Sequence, residues 1–262
     1  SGYSFLTIGS ANLVKSFASD ELRERFLPPM LDGRYSGTMA LTEPGQGSAL
    51  GDIRTTARPA EDGSYRVFGQ KMFISGGDHE LTDNIVHMVL ARIEGAPAGV
   101  KGISLFLVPK VLVNEDGSLG ARNDVALAGL LHKMGYRNTT STVLSFGEKD
   151  GAVGYLVGEA NKGLSYMFQM MNEARIGVAL GASVLAYQSY IHALAYARER
   201  PQGRLPGSKD PLSNQVRIVQ HADVRRMLLQ QKVYAEGSLS LCLYASSLFE
   251  DSHTAPTEAE RE

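Results

Sequence analysis

Polar and apolar positions change their period twice along this chain. In residues 1–31 the apolar side chains recur at helical spacing. Ser19 stands where an N-cap would, Asp20 and Glu21 follow it in the first turn, and Leu22, Phe26 and Leu27 make a stripe that Pro28 and Pro29 are expected to end. From Arg34 to about Glu159 the period is that of strands. Tyr65-Arg66-Val67-Phe68 follows the hairpin signal Asp62-Gly63; residues 84–92, 102–109 and 141–146 are β-branched and apolar, and turns at Asp116-Gly117 and in the glycine-rich stretch 95–102 separate them. Beyond Asn161-Lys162-Gly163 the helical period returns: Leu164, Met167, Phe168, Met171, Ala174 and Val178 continue through Leu185 and Ile191 to Arg200, where Pro201 should stop the helix. A Gly/Pro/Ser-rich loop, 201–213, leads to a second long helix over about 215–250 and a polar, acidic tail.

This pattern predicts an α+β multidomain chain. Residues 1–33 read as the end of an N-terminal helical domain, 34–160 as a central antiparallel β-sandwich or barrel-like domain, and 161–262 as the first two long helices of an incomplete C-terminal helical bundle. Two such helices without partners would expose their apolar stripes, so the rest of the bundle is expected from sequence outside this chain or from another subunit.

Composition narrows the functional classes. A net charge of −2 gives no electrostatic case for nucleic acid or an anionic membrane surface. The single cysteine, Cys242, lies in an apolar helical setting and excludes an internal disulfide, which suits a reducing, cytoplasmic compartment. No apolar run reads as long enough to span a bilayer and no signal peptide is evident. No Cys or second His stands at metal-ligand spacing from His79, which reads as an exposed loop histidine, and no metal is expected.

The richest chemistry lies in residues 39–53, where an acid, two hydroxyls, a proline and three glycines follow a β segment. Gly45, Gly47 and Gly51 imitate a dinucleotide-binding fingerprint, but no helix follows to aim its N-terminus at a pyrophosphate, which excludes a Rossmann domain. On the residues alone, Thr42 and Ser48 are either turn caps or donors to a planar or anionic ligand.

Thr42-Glu43-Pro44 with Gly47-Ser48 resembles the Thr-Glu-Pro-x-x-Gly-Ser-Asp signature of the acyl-CoA dehydrogenases. Gln70-Lys71-Met72-Phe73-Ile74-Ser75-Gly76-Gly77, Lys133-Met134-Gly135 and Met171-Asn172-Glu173-Ala174-Arg175 follow in that family's order. Residues 74–110 are most similar to the branch that includes the 3-methylmercaptopropionyl-CoA dehydrogenases. The resemblance implies FAD-dependent α,β-dehydrogenation of a short, sulfur-containing or simple acyl-CoA thioester. A flavoprotein oxidase on the same scaffold, or a non-catalytic flavin- or CoA-binding module, is the alternative.

By the same resemblance Met39, Leu41, Thr42, Gly47 and Ser48 lie against the cofactor, with the Thr42 hydroxyl and the Leu41 amide on the polar edge of the isoalloxazine ring and Ser48 at phosphate or CoA. Phe73 takes the place of an aromatic residue, usually Trp, beside the ring, or is a plain core residue; Ser75 faces the polar edge. Arg175 serves the substrate's thioester and CoA end, or is a solvated helix residue. Arg200 reaches the FAD pyrophosphate of a neighbouring subunit, although Pro201-Gln202-Gly203-Arg204 departs from the family's usual Phe-Gly. Ala174 stands where a minority of the family carries its catalytic Glu, and Glu173 is rotated about 100° away; the resemblance therefore places the base in sequence beyond this chain, which reads as a fragment. It further implies an electron-transferring flavoprotein as partner and a homodimer or dimer of dimers.

Overall fold

The computed structural model describes residues 2–261, which form two compact units, one running to Ala174 and the other from Arg175 onward. In the first, helix α1 (Gly2–Phe17) and helix α2 (Asp20–Leu31) precede the strands. Ser19 caps α2 as expected, its side chain accepting the Leu22 N–H at 3.3 Å. Pro28 and Pro29 do not end the helix. They sit in its last turn, where each removes one backbone donor but the Pro28 carbonyl still accepts the Asp32 N–H at 3.0 Å, while Pro29 and Met30 are buried.

Strand β4 (Asn84–Ile93) organises the sheet. One of its edges pairs antiparallel with β5 (Ile103–Pro109). The other pairs in parallel, first with β1 (Tyr35–Ala40) and then with β2 (Thr56–Pro59). Strand β5 continues to β10 (Ala152–Val157), β10 to β3 (Tyr65–Ser75), and β3 back to β2. The path β4–β5–β10–β3–β2–β4 therefore closes, so each of these five strands is paired on both sides along it. Strand β9 (Ser141–Phe146) extends from the far half of β3 and carries β8 (Val125–Leu130); β6 (Val111–Val113) and β7 (Leu119–Arg122) form a separate ribbon. The barrel-like expectation is met, with two parallel pairs added to the antiparallel plan.

Side chains of β4 and β5 alternate between two cores. Val86, Met88, Leu90, Leu105 and Leu107 pack with Leu13, Val14 and Phe26 of the N-terminal helices, whereas Val89, Ala91, Phe106 and Val108 fill the barrel with Val67 and Phe146. Both strands are thus apolar throughout because both faces are covered.

Helix α3 (Gly163–Glu199) spans the boundary between units, which falls at Ala174/Arg175 because Met167 and Met170 belong to the first core. In the second unit Leu228, Ala235 and Cys242 make a buried stripe on helix α4 (Ala222–Thr254), and the Cys242 thiol lies 3.6 Å from the Ser183 hydroxyl of α3. Helix α4 begins later than its apolar pattern suggests, because residues before it are held elsewhere: Gln202 N–H bonds Val216 O at 2.8 Å, and Ile218–Gln220 make a single 3-10 turn. The tail adds the short helix α5 (Glu258–Arg261). One expectation is corrected: α3 is long and apolar enough to cross a membrane by length and composition. The same measure is met by core helices of soluble folds, so it places nothing in a bilayer.

Candidate functional site

The chain leaves the β4 edge between β1 and β2, and residues 41–55 form a loop there. Its tip is a narrow turn: Glu43 and Gln46 exchange backbone hydrogen bonds at 2.9 and 3.1 Å around Pro44-Gly45. Beneath it lies a buried ion pair that the sequence reading did not single out. The Lys71 ammonium, 0% exposed, donates to Glu43 Oε1 and to the Leu41 carbonyl, each at 3.0 Å. The Glu43 carboxylate also accepts Arg54 N–H at 2.7 Å, Thr55 N–H at 3.0 Å and the Thr55 hydroxyl at 2.5 Å. Burial pushes the Glu43 carboxyl upward, but the Lys71 charge and these donors leave it below its ordinary value. Burial lowers Lys71 to about 8 against the opposing pull of Glu43.

Close approach makes this network possible. Gly69, at φ 147°, lies where a Cβ would come within 2.6 Å of the Thr55 Oγ1 that bonds Glu43. A cleft of about 330 Å³ opens beside Glu43, Gly45, Gln46, Arg54 and Gly69.

Strand β3 brings the second part of the site. Met72 N–H bonds the Thr42 carbonyl at 2.9 Å, and a β-bulge follows: Lys71 pairs with Leu144 and Ile74 with Thr142, three steps on β3 against two on β9. Phe73 is the extra residue. It takes φ 60°, a conformation costly for an aromatic residue, and the residue is 61% exposed. The core alternative for Phe73 is thereby excluded. Ser75 pairs with Ser141 on β9 and is half-buried. Nearby on β8 and its following loop, Leu130 and Met134 are exposed, Met134 by 97%.

The structure therefore places the Leu41–Thr42 segment of the loop beside the stretch of β3 that carries Phe73 and Ser75. Leu41 is buried and Met39 half-buried against the helix-facing core, so these two offer a ligand their backbone rather than their side chains. Gly47 and Ser48 are exposed on the loop, and a Cβ at Gly47 would meet nothing within 4 Å. Arg175 and Arg200 lie in the other unit, both exposed and 25 residues apart, or about 37 Å along a helix; they cannot grip one small group. Glu173 is held by Asn12, whose amide donates to both its carboxylate oxygens at 3.1 Å, and Ala174 follows it on α3.

His79 is corrected from an exposed loop residue to a half-buried one. Leu81 N–H bonds its Nδ1 and its Nε2 faces Ser36 Oγ, both at 3.2 Å, while Tyr3 meets its ring edge-on. Burial first, then the neighbouring Lys110, lower its pKa. His87, fully buried, shares a 2.7 Å hydrogen bond between Nδ1 and Thr38 Oγ1, leaves Nε2 without a hydrogen-bond partner among the described residues, and is driven by burial to about 3. Among the described residues no group of three or more His, Cys, Asp or Glu could hold a metal ion. The signal for the missed pair was a single acid and a single lysine, each set in an otherwise uncharged motif: Thr-Glu-Pro and Gln-Lys-Met-Phe.

The site fits a planar, partly polar ring. An exposed aromatic face has been pushed out by a bulge next to a loop whose backbone is fixed and whose glycines leave room above it. Comparison with known proteins gives the family. The family model for the acyl-CoA dehydrogenase middle domain matches residues 38–148, and that for the acyl-CoA dehydrogenase C-terminal domain matches 161–261. The chain is 45% identical over 264 residues to a butyryl-CoA dehydrogenase of Syntrophomonas wolfei and 44% identical over 258 residues to the 3-methylmercaptopropionyl-CoA dehydrogenase of Ruegeria pomeroyi. Each alignment covers 98% of this chain but 43% of the relative, so the chain spans less than half the length of the curated relatives it matches. A Bacillus anthracis acyl-CoA dehydrogenase solved in complex with FAD shares the fold, with a TM-score of 0.73, 24% identity, and 95% of this chain and 38% of that one covered.

Proposed function

The chain belongs to the acyl-CoA dehydrogenase family, and on that premise we propose that the whole protein dehydrogenates a short acyl-CoA thioester between its α and β carbons, with FAD as cofactor. The observation that supports this most directly is the Thr42 loop clasped to β3 beside the outward-turned Phe73. FAD, when bound, supplies the acceptor for the β-hydride. Thr42 and the loop amides would hold the ring's polar edge, Phe73 its apolar face, and Ser75 would add a hydroxyl; donors at that edge favour the electron-rich form. Ser48 is assigned to phosphate or CoA, Arg175 to the thioester and CoA end, and Arg200 to the pyrophosphate of a neighbouring subunit in a homodimer or dimer of dimers.

No side chain of this chain is assigned as the α-proton base. Glu173 is engaged by Asn12 and Ala174 cannot abstract a proton, so the base is assigned to a carboxylate in the rest of the protein. The proposed segments are 1–33, 34–160 and 161–262 as read above, the proposed electron acceptor is an electron-transferring flavoprotein, and the proposed location is the cytoplasm.

Relatives named for butyryl-CoA and 3-methylmercaptopropionyl-CoA support a short substrate. The test is the visible spectrum of the full-length protein before and after anaerobic addition of butyryl-, 3-methylmercaptopropionyl- or octanoyl-CoA. Bleaching of flavin bands by one of the two short thioesters, and faster than by octanoyl-CoA, is expected; flavin bands that all three leave unchanged would sink the assignment.

A further inference from the structure

We propose that the buried Lys71–Glu43 pair is a positioning device that sets the Leu41–Thr42 peptide plane, and with it the donors presented to the flavin, in register with Phe73. This rests on the flavin assignment above. The Leu41 carbonyl is taken by Lys71 Nζ and the Thr42 carbonyl by Met72 N–H, so two donors from neighbouring residues of β3 fix both ends of residue 42. Among the described residues no peptide bond is cis. In a trans peptide the C=O and N–H point in opposite directions, so the hold on Leu41 O turns the Thr42 N–H away from Lys71 and out of the interior. Glu43 then sets where the ammonium sits: three donors from Arg54 and Thr55 anchor its carboxylate to the start of β2, and it anchors Lys71. The residue after Met72 is Phe73, so loop and aromatic face are fixed by one short segment of β3.

Stability alone is a poor reason for such a pair. Burying two charges costs desolvation that their attraction scarcely repays, and apolar residues of similar volume often serve as well. What an apolar pair could not supply is a donor of fixed direction on Leu41 O.

The test compares the wild-type full-length protein with K71M/E43Q, which keeps volume and charge balance but has no donor at Leu41 O. FAD affinity is measured by flavin fluorescence, and the two-electron midpoint potential is measured with FAD saturating. At least tenfold weaker FAD binding is expected. The potential is expected to fall by about 30 mV, the equivalent of a tenfold loss of preference for the reduced form. A folded K71M/E43Q protein with wild-type values of both would overturn the proposal, since a purely structural pair would move the melting temperature and leave the potential alone. Should the double variant not fold, T55V, which removes one hydrogen bond to Glu43, is read in the same way: a shift of about threefold in the same direction supports the proposal and unchanged values overturn it. A wild-type protein that takes up no FAD would instead remove the functional reading itself.

Discussion

The two compact units solve the problem of apolar surface in different ways. The first covers both faces of β4 and β5, one with helices and one with the barrel interior, and it can therefore hold charged side chains such as Lys71 and Glu43 in fixed positions. The second, two long helices and a loop, leaves Val184, Leu185, Leu229, Val233, Leu241 and Leu243 exposed while burying few side chains. Rigidity of the kind a cofactor ring requires belongs to the first unit; the second offers surface.

The sharpest way to break this contrast is to remove one charge from each unit. K71M leaves Glu43 buried without its partner and should cost roughly 3–5 kcal/mol, read by denaturant unfolding. K232M in α4, where Lys232 and Glu236 form an exposed pair, should leave the unfolding midpoint where it is. Equal effects would mean that Lys71 is less enclosed than its neighbours imply.

Acid should strike the first unit next. His87 holds its folded pKa near 3 by burial, below the ordinary 6.5, so the unfolded chain takes up the proton first as pH falls. The stability this histidine contributes is complete above pH 6.5 and is lost progressively down to about pH 3, at up to about 1.4 kcal/mol per pH unit. His79, shifted the same way, adds to the upper part of that window, and Glu43 to the loss below 4.5. In T38V/H87L, unfolding measured from pH 7 to 5 should show a shallower slope; an unchanged slope would locate acid sensitivity elsewhere.

A smaller effect tests Phe73. F73G relieves the positive φ and should stabilise the fold by about 1 kcal/mol while weakening FAD binding. Gains in both would deny Phe73 its place in the cradle. Least of all should follow from L241S on the exposed face of α4, within about 0.5 kcal/mol by the same unfolding measurement.

Periodicity was readable where it ran long or alternated cleanly. Helix α3 ends at Glu199 beside the residue where Pro201 was expected to stop it, and β9 coincides with the apolar run 141–146. Strands β2, β7 and β8 were not legible because they are short or have exposed positions, so their placement depends on partners rather than on pattern. Pro28 and Pro29 misled because the two donors they remove do not open the last turn, which the burial of Pro29 and Met30 and the Asp32 N–H bond to the Pro28 carbonyl hold closed. Of the site, the Thr42 loop was legible as a motif. Its anchorage was not: Glu43 and Lys71 are 28 residues apart and meet only once β3 is paired, and the φ of Phe73 exists only through the register of β3 against β9.

The parallel pairing of β1 with β4 also sets an order in time. Tyr35 pairs with Asn84, 49 positions later, and the Thr42 loop issues directly from β1. In a chain synthesised at about 5–20 residues per second, β1 waits roughly 2–10 s for its partner to be made, and contacts between such distant segments form late in any case. The Thr42 loop is thus anchored only once β4 has been made, and the bulge that carries Phe73 only once β9 follows, so a flavin can dock only after those strands have paired.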